Sequence, residues 1–308
     1  MKRIIETLFF LLIPLSVFGQ ITPVTGQYVL NPLTINPAFA GGRGALNIAT
    51  FYRKQWVGVK GTPETLTFSI DALFSDQKIG LGLIIVSDKI GVTKENQFNI
   101  NYAYKINMGE SILSFGLGAG VIVTNTAFSD LIVIDPGDEI YFTDSRIFVV
   151  PNFSFGIHYS FHNYFAGVSI PRFLSYRFDF DRNKYFLNND QSNHSYILNS
   201  GYIFEIGPRF KFFPSTLFRY SAVSTVEKFQ YDINTHFCFF DRFWLGASYR
   251  NNRSFAGLFQ FQPNNQLRIA YTYDFGISKL GRYSNGSHEI MLRYEFRYKV
   301  DALSPLIF

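Results

Sequence analysis

From Ala45 almost to the C-terminus, apolar residues recur at every second position, and this period of two, rather than the 3.6 of a helix, most limits how the chain can fold. Leu113, Phe115, Leu117, Ala119, Val121 and Val123 alternate with Ser114, Gly116, Gly118, Gly120, Ile122 and Thr124. Leu66, Phe68, Ile70 and Ala72 alternate with Thr65, Thr67, Ser69 and Asp71 in the same way. Late in the chain Ile290, Leu292, Tyr294, Phe296 and Tyr298 oppose Glu289, Met291, Arg293, Glu295, Arg297 and Lys299. The pattern predicts an all-β chain of about 14 strands, over residues 45–55, 63–73, 78–87, 94–106, 111–126, 147–160, 163–171, 194–206, 209–222, 226–239, 242–251, 254–262, 265–275 and 286–299.

A soluble sandwich also has an apolar face, so alternation does not by itself separate it from a membrane barrel. Segment length and loop order do. Most segments reach the roughly 9–11 residues that a tilted membrane strand needs, and their number is even. Long connections (56–62, 127–146, 172–193, 276–285) follow odd-numbered segments, while short ones such as Phe74 to Gln77, Asn107 to Glu110, Phe240 to Asp241 and Pro263 to Asn264 follow even-numbered ones. That segregation predicts a transmembrane antiparallel β-barrel in the outer membrane, with short periplasmic turns and longer outer loops. Aromatic residues near segment ends, as at Phe51, Tyr52 and Trp56 or Tyr271, Tyr273 and Phe275, suit rings at head-group level, although β-propensity accounts for part of the enrichment.

The N-terminus carries Lys2 and Arg3, an apolar stretch from Leu8 to Phe18, and Gly19 before Gln20, which reads as a secretory signal peptide over 1–19. Beyond it no apolar run approaches the roughly 18–20 residues of a spanning helix. With 19% aromatic and 17% charged residues, neither a disordered nor a collagen-like chain is compatible. Cys238 stands alone, which excludes an intramolecular disulfide and a zinc finger. The net charge of +5 is scattered rather than gathered in a patch, so no nucleic-acid partner is expected.

Residues Ile21 to Gly44 break the alternation with two Asn-Pro pairs, Asn31-Pro32 and Asn36-Pro37. Each proline fixes its own φ and holds the preceding asparagine out of the helical region, and asparagine side chains can cap the resulting turns. The expected organisation is therefore signal peptide (1–19), a stiff Asn-Pro segment that plugs the lumen or docks a periplasmic partner (20–44), and barrel (45–308).

Read as Y-x-x-N-P-x-x-x-N-P-A-F-A-G, Tyr28, Asn31, Pro32, Asn36, Pro37, Ala38, Phe39, Ala40 and Gly41 resemble the N-terminal signature of the PorP/SprF family, outer-membrane proteins associated with the type IX secretion system of Bacteroidota. Arg53, Gln55, Trp56 and Gly58 are similar to that family's R-x-Q-W-x-G; Gly61, Thr62, Pro63, Gly80 to Gly82 and Gly286 to Ile290 also fit. The chain departs from the family's frequent Arg-aromatic ending by finishing in Ser304, Pro305, Leu306, Ile307 and Phe308. The resemblance implies a non-enzymatic accessory without cofactor. It would contact outer-membrane lipid, periplasmic secretion machinery and a secreted adhesin, with the quoted motif residues as candidate partner contacts.

Other candidate chemistry is thin. His158 and His162, four apart on a strand and its turn, lack the shared face that a helix would give two metal ligands. Asn193, His194 and Ser195 include hydrolase residue types, but neighbours on a strand point oppositely. Gly116, Gly118 and Gly120 precede no helix and cradle no phosphate; they leave lumen space for a plug or bulky neighbours. The inward Glu289, Arg293, Glu295, Arg297 and Lys299, facing Asp71, Lys105, Asp232, Arg268 and Asp274, are expected to form a paired lumen ladder. A secretion scaffold leads; a plugged channel or hydrophobic-solute transporter and an outer-membrane hydrolase are the competing classes.

Overall fold

The computed structural model describes residues 28–74, 78–127, 129, 147–174, 176–179, 184–187, 194–221, 228–251, 254–276 and 283–296. The leader over 1–19, residues 20–27, Arg297, Lys299 and the C-terminal tail lie outside the described residues. Strands β1 (Leu46–Lys54), β2 (Glu64–Phe74), β3 (Ile79–Ile90), β4 (Thr93–Met108), β5 (Ser111–Thr126), β6 (Phe148–Phe161) and β7 (Tyr164–Ile170) form one half of a meander. After a small hairpin of β8 (Tyr176–Asp179) and β9 (Lys184–Leu187), the meander resumes with β10 (Ser195–Tyr202), the short β11 (Phe204–Glu205) and β12 (Phe210–Ser221). It ends with β13 (Phe229–Phe239), β14 (Phe243–Arg250), β15 (Ser254–Phe261), β16 (Leu267–Gly276) and β17 (Ser287–Phe296).

Every pairing is antiparallel, and two of them close the ring: β1 with β17, from Leu46–Phe296 to Lys54–His288, and β10 with β12, from Ser195–Ser221 to Gly201–Ser215. The result is a closed 14-strand barrel. Closure removes the exposed sheet edges that hydrocarbon could not hydrogen-bond.

Each of the 14 expected segments contains a barrel strand, but the structure splits 194–206 into β10 and β11. The cause is Pro214 on β12, which offers no N–H at the position opposite Tyr202, so the ladder stops at Gly201–Ser215 and resumes in the same register at Phe204–Phe212. Ile203 fills the gap: its N–H donates to Asn163 O at 2.9 Å, and its side chain packs with Phe213, Cys238 and Trp244.

Alternation sorts the side chains by face. Phe98, Ile100, Tyr102 and Tyr104 on β4 point outward, Ile100 at 65% exposure, while Asn101 and Lys105 on the same strand are buried in the lumen. At the end with the short turns, outward rings meet across strands: Phe204 with Phe212, Phe212 with Phe237 and Phe243 with Phe261. At the end with the long loops Tyr196 meets Tyr220, Tyr220 meets Phe229 and Tyr249 meets Phe255. These are two girdles, one at each lipid–water boundary. Phe51 does not join them. Being next to the outward Tyr52, it must point inward, where it is 2% exposed against Leu30 and Met291. One connection at the long-loop end, residues 91–92, is itself a two-residue turn.

Ile100 sits halfway along β4 on the lipid face. Ile100→Arg should destabilise the barrel by roughly 2–4 kcal/mol, and Asn96→Arg, nearer the strand end, by about 0–1 kcal/mol. Equilibrium folding into lipid vesicles reads both; equal and negligible effects would mean that this face meets water.

Candidate functional site

Residues 28–44 enter the lumen before β1 begins. Each Asn-Pro pair starts a 3-10 turn, Pro32–Thr34 and Pro37–Phe39, with proline at the first helical position where a missing N–H costs nothing. Asn36 is extended at φ −150 and ψ 116, as the following proline demands, and its Oδ1 accepts from Ala38 N at 2.9 Å. Asn31 does not cap its turn; its Nδ2 reaches across the lumen to Ser69 Oγ at 2.8 Å.

The barrel wall is shaped to receive this segment. A Cβ built at Gly116 on β5 would collide with the backbone of Pro37 and Ala38, one at Gly156 on β6 with the Asn36 amide, and one at Gly80 on β3 with the Ala40 carbonyl. These inward glycines form a cradle in which chain lies directly on chain. Without side chains in the way, Asn36 Nδ2 donates to the strand carbonyls of Ile157 (3.1 Å) and Val168 (3.3 Å). Ser169 Oγ donates to Ile35 O at 2.6 Å, and Lys105 Nζ to Gly41 O at 2.7 Å. Gly41 N donates to Asp71 Oδ2 at 3.0 Å, whose other oxygen takes Asn47 Nδ2 at 2.7 Å. Leu30, Leu33, Ile35, Phe39 and Ala40 pack on inward apolar residues such as Met291, Ile84, Ala103 and Leu217, so the segment supplies the core that the strands alone lack.

Of the motif residues, Tyr28, Asn31, Asn36, Pro37, Ala38, Phe39, Ala40 and Gly41 are buried and Pro32 is half-buried, so these side chains contact the wall. Tyr28 Oη accepts from Asn234 Nδ2 at 2.6 Å, and burial together with the nearby Asp232 carboxylate pushes its pKa up, keeping it a neutral hydroxyl. Arg53 also faces inward, paired with Glu289 at 2.9 Å and with Asp274. Gln55 and Trp56 are half-buried and Gly58 is exposed, all at the long-loop rim. There the R-x-Q-W-x-G residues meet the late Gly286 to Ile290 stretch: Val57 N donates to Gly286 O at 2.8 Å and Trp56 N to Ser287 Oγ at 3.2 Å. Trp56 holds φ +47 in this turn, a region that bulky residues rarely occupy.

The lumen charges fall into groups. At the long-loop end Arg53 bridges Asp274 and Glu289, and deeper Arg250 binds Asp232 through two bonds of 2.9 Å. At the short-turn end Arg268 and Arg293 approach Glu295, joined by Arg43 from the segment. Arg43 and Arg250 were not singled out in the sequence. The signal for Arg250 was there, since it stands two residues beyond the inward Ser248, but Arg43 precedes the alternation that would have oriented it. Burial pulls the Arg43 guanidinium below its ordinary pKa, opposed by Glu295 and Asp71.

Above the segment lies a cavity of about 260 Å³, floored by Leu33 to Pro37 and walled by β2, β3 and β4, whose rim residues Asp88, Ile90, Thr93 and Glu95 belong to the long-loop end. Thr65 donates to Asp88, Glu95 pairs with Arg172, and Asn101 lies at the base. The remaining candidates do not meet. His158 packs against Phe39 inside, ring centroids 4.1 Å apart and tilted by 37°, whereas His162 lies in an exposed turn beside Glu110. His194 stacks on Phe173, and Ser195 Oγ donates to Ser221 Oγ at 3.2 Å; Asn193 is outside the described residues.

Two substitutions separate seat from strand. Asn36→Ala leaves buried carbonyls and the Ala38 amide without their partner, and should cost about 1–3 kcal/mol in unfolding free energy. Gly116→Leu should leave the barrel folded but unseat the segment, so that a cysteine introduced by Ala38→Cys reacts with a membrane-impermeant maleimide only when combined with Gly116→Leu. Equal labelling in both backgrounds would show that the glycine does not hold the segment.

Among the solved structures similar to this chain are a channel and an outer membrane protein. The CymD monoaromatic hydrocarbon channel aligns with a TM-score of 0.57 at 10% identity, covering 92% of this chain and 96% of that one. The outer membrane protein Omp33 of Acinetobacter baumannii aligns with a TM-score of 0.47 at 9% identity, covering 84% and 100%. At such identity the first likeness speaks for the fold alone. No curated protein matches the chain. The family model described as type IX secretion system membrane protein PorP/SprF matches residues 17–294. That match spans the segment, its glycine cradle and all the described barrel strands but for the last residues of β17, and the chain belongs to the PorP/SprF family of type IX secretion membrane proteins, an outer-membrane β-barrel.

Proposed function

We propose that this barrel is a non-enzymatic accessory of type IX secretion, supporting export or surface attachment of a secreted adhesin through contacts with periplasmic machinery or with the cargo. The observation that carries this reading is the filled lumen. A barrel whose interior is occupied by its own buried, hydrogen-bonded segment is a poor conduit for a polypeptide and a good rigid post in the membrane. The Asn-Pro motif residues then act by fixing the post from within, while partner contacts fall to the rims, where Gln55, Trp56 and Gly58 lie at the long-loop end and the short turns lie at the other. The cavity over the segment favours a second reading, a channel or hydrophobic-solute transporter gated by movement of the plug.

Removing the protein from its host should abolish surface display of the adhesin, and photo-crosslinkers placed at Glu110 or Asn264 in the short turns should capture periplasmic components. Normal display in the deletion strain, together with solute flux through the purified barrel in liposomes, would overturn the scaffold in favour of the channel.

A further inference from the structure

The cavity over the segment is walled by three adjoining strands, each of which brings a different chemistry to it. Thr65 and Thr67 on β2, Ile84 and Val86 on β3, and Gln97 and Asn99 on β4 all line it. Val86 pairs with Thr67 on one side and with Gln97 on the other, and Ile84 pairs with Asn99. Inward side chains recur at every second residue, so these six form three parallel columns, of hydroxyls, aliphatic side chains and amides. Neighbouring strands lie about 4.8 Å apart, which puts the hydroxyl column about 10 Å from the amide column, with the aliphatic strip between them.

At the base of the amide column Asn101, also on the lining, is 3% exposed, and its Nδ2 has no hydrogen-bond partner among the described residues. A buried amide donor left in that state is expensive, and a guest with an acceptor relieves it. Charge calls for no ion. The described lining carries Asp88 and Glu95 against Arg172 and Arg219, two of each sign, and Glu95 is paired with Arg172. Nor does an aromatic ring among the described lining residues offer a stacking face to an aromatic solute. The volume of about 260 Å³ lies just under the roughly 300–1,000 Å³ of sites for drug-sized molecules, which leaves room for one or two small rings. Leu33 to Pro37 of the seated segment form the floor, so the approach is from the long-loop end.

We propose that this cavity binds a neutral saccharide of one or two rings. A pyranose has a face of C–H groups and a rim of hydroxyls, each both donor and acceptor. Laid on Ile84 and Val86, its C–H face covers the aliphatic strip. Its rim then reaches the threonine hydroxyls on one side and the Gln97 and Asn99 amides on the other, and a hydroxyl at the base gives Asn101 Nδ2 its acceptor. A hydrocarbon in the same place would cover the strip and strand the polar groups on both sides of it. With the segment fixed beneath by Asn36, the site holds its guest instead of passing it on.

Saturation-transfer NMR on the whole barrel, in a detergent without a sugar headgroup, tests this with glucose, galactose, mannose, maltose and lactose. Saturable transfer to at least one of them is expected, strongest at the C–H protons of one ring face. Asn101→Leu and Thr67→Val each remove a hydrogen-bonding group while keeping the approximate shape. Both should fold, as an unchanged thermal midpoint would show, and each should weaken binding roughly tenfold. Absence of saturable transfer to all five sugars, undiminished binding in the folded variants, or saturable binding of toluene in place of the sugars would each overturn the site.

Discussion

Fourteen strands enclose more space than their own inward side chains fill. An eight-stranded barrel is just packed by its side chains, whereas barrels of 16–18 strands leave an aqueous channel. This chain lies between those limits, and it places residues 28–44 in the excess space. Much of the rest follows from that choice. The wall carries glycine where the segment touches it, charge where the segment exposes carbonyls and amides, and apolar residues where Leu30, Leu33, Ile35 and Phe39 come to rest.

The energetic logic differs between the two surfaces of the same sheet. Outside, any unpaired polar group faces hydrocarbon, so the strands close on themselves and present Leu, Ile, Phe and Tyr. Inside, polar side chains are tolerated where they have somewhere to go, as Asn36 does to two strand carbonyls, Asn31 to Ser69 and Lys105 to Gly41. The segment therefore serves both as core and as hydrogen-bond partner. Breaking a single contact leaves groups stranded on both sides, which favours a permanently seated segment over a loose cover.

How much of this could be read beforehand depends on whether the information is local. Strand positions were legible because the period of two is written into adjacent residues; β5 runs from Ser111 to Thr126 as the alternation predicts. Inward and outward faces were legible for the same reason: the place of Phe51 near a strand end suits a boundary ring, but parity with the outward Tyr52 turns it inward. The hairpin β8–β9 was not seen, since its strands are four residues each and sit in a long connection with no sustained alternation. Pairing partners in the lumen were illegible in principle. Asn36 finds Ile157 across 121 residues of sequence, and nothing local to either distinguishes that carbonyl from its neighbours. Of the glycines at 116, 118 and 120, Gly116 makes room for the plug, whereas Gly118 lies against Ser154 and Asn101 and Gly120 against Phe98 and Asn99; Gly156 and Gly80 take their meaning only from the register, which sets Gly156 opposite Gly116 and Gly80 opposite Ala103, itself opposite Gly116.

Hydrogen–deuterium exchange of a peptide covering residues 28–44, in the intact barrel in lipid, tests the seated segment most directly. Amides of Ala38 and Gly41, bonded inside the lumen, should exchange as slowly as those of the neighbouring strands. Exchange at the rate of a free peptide, in a barrel whose strands remain protected, would contradict the account.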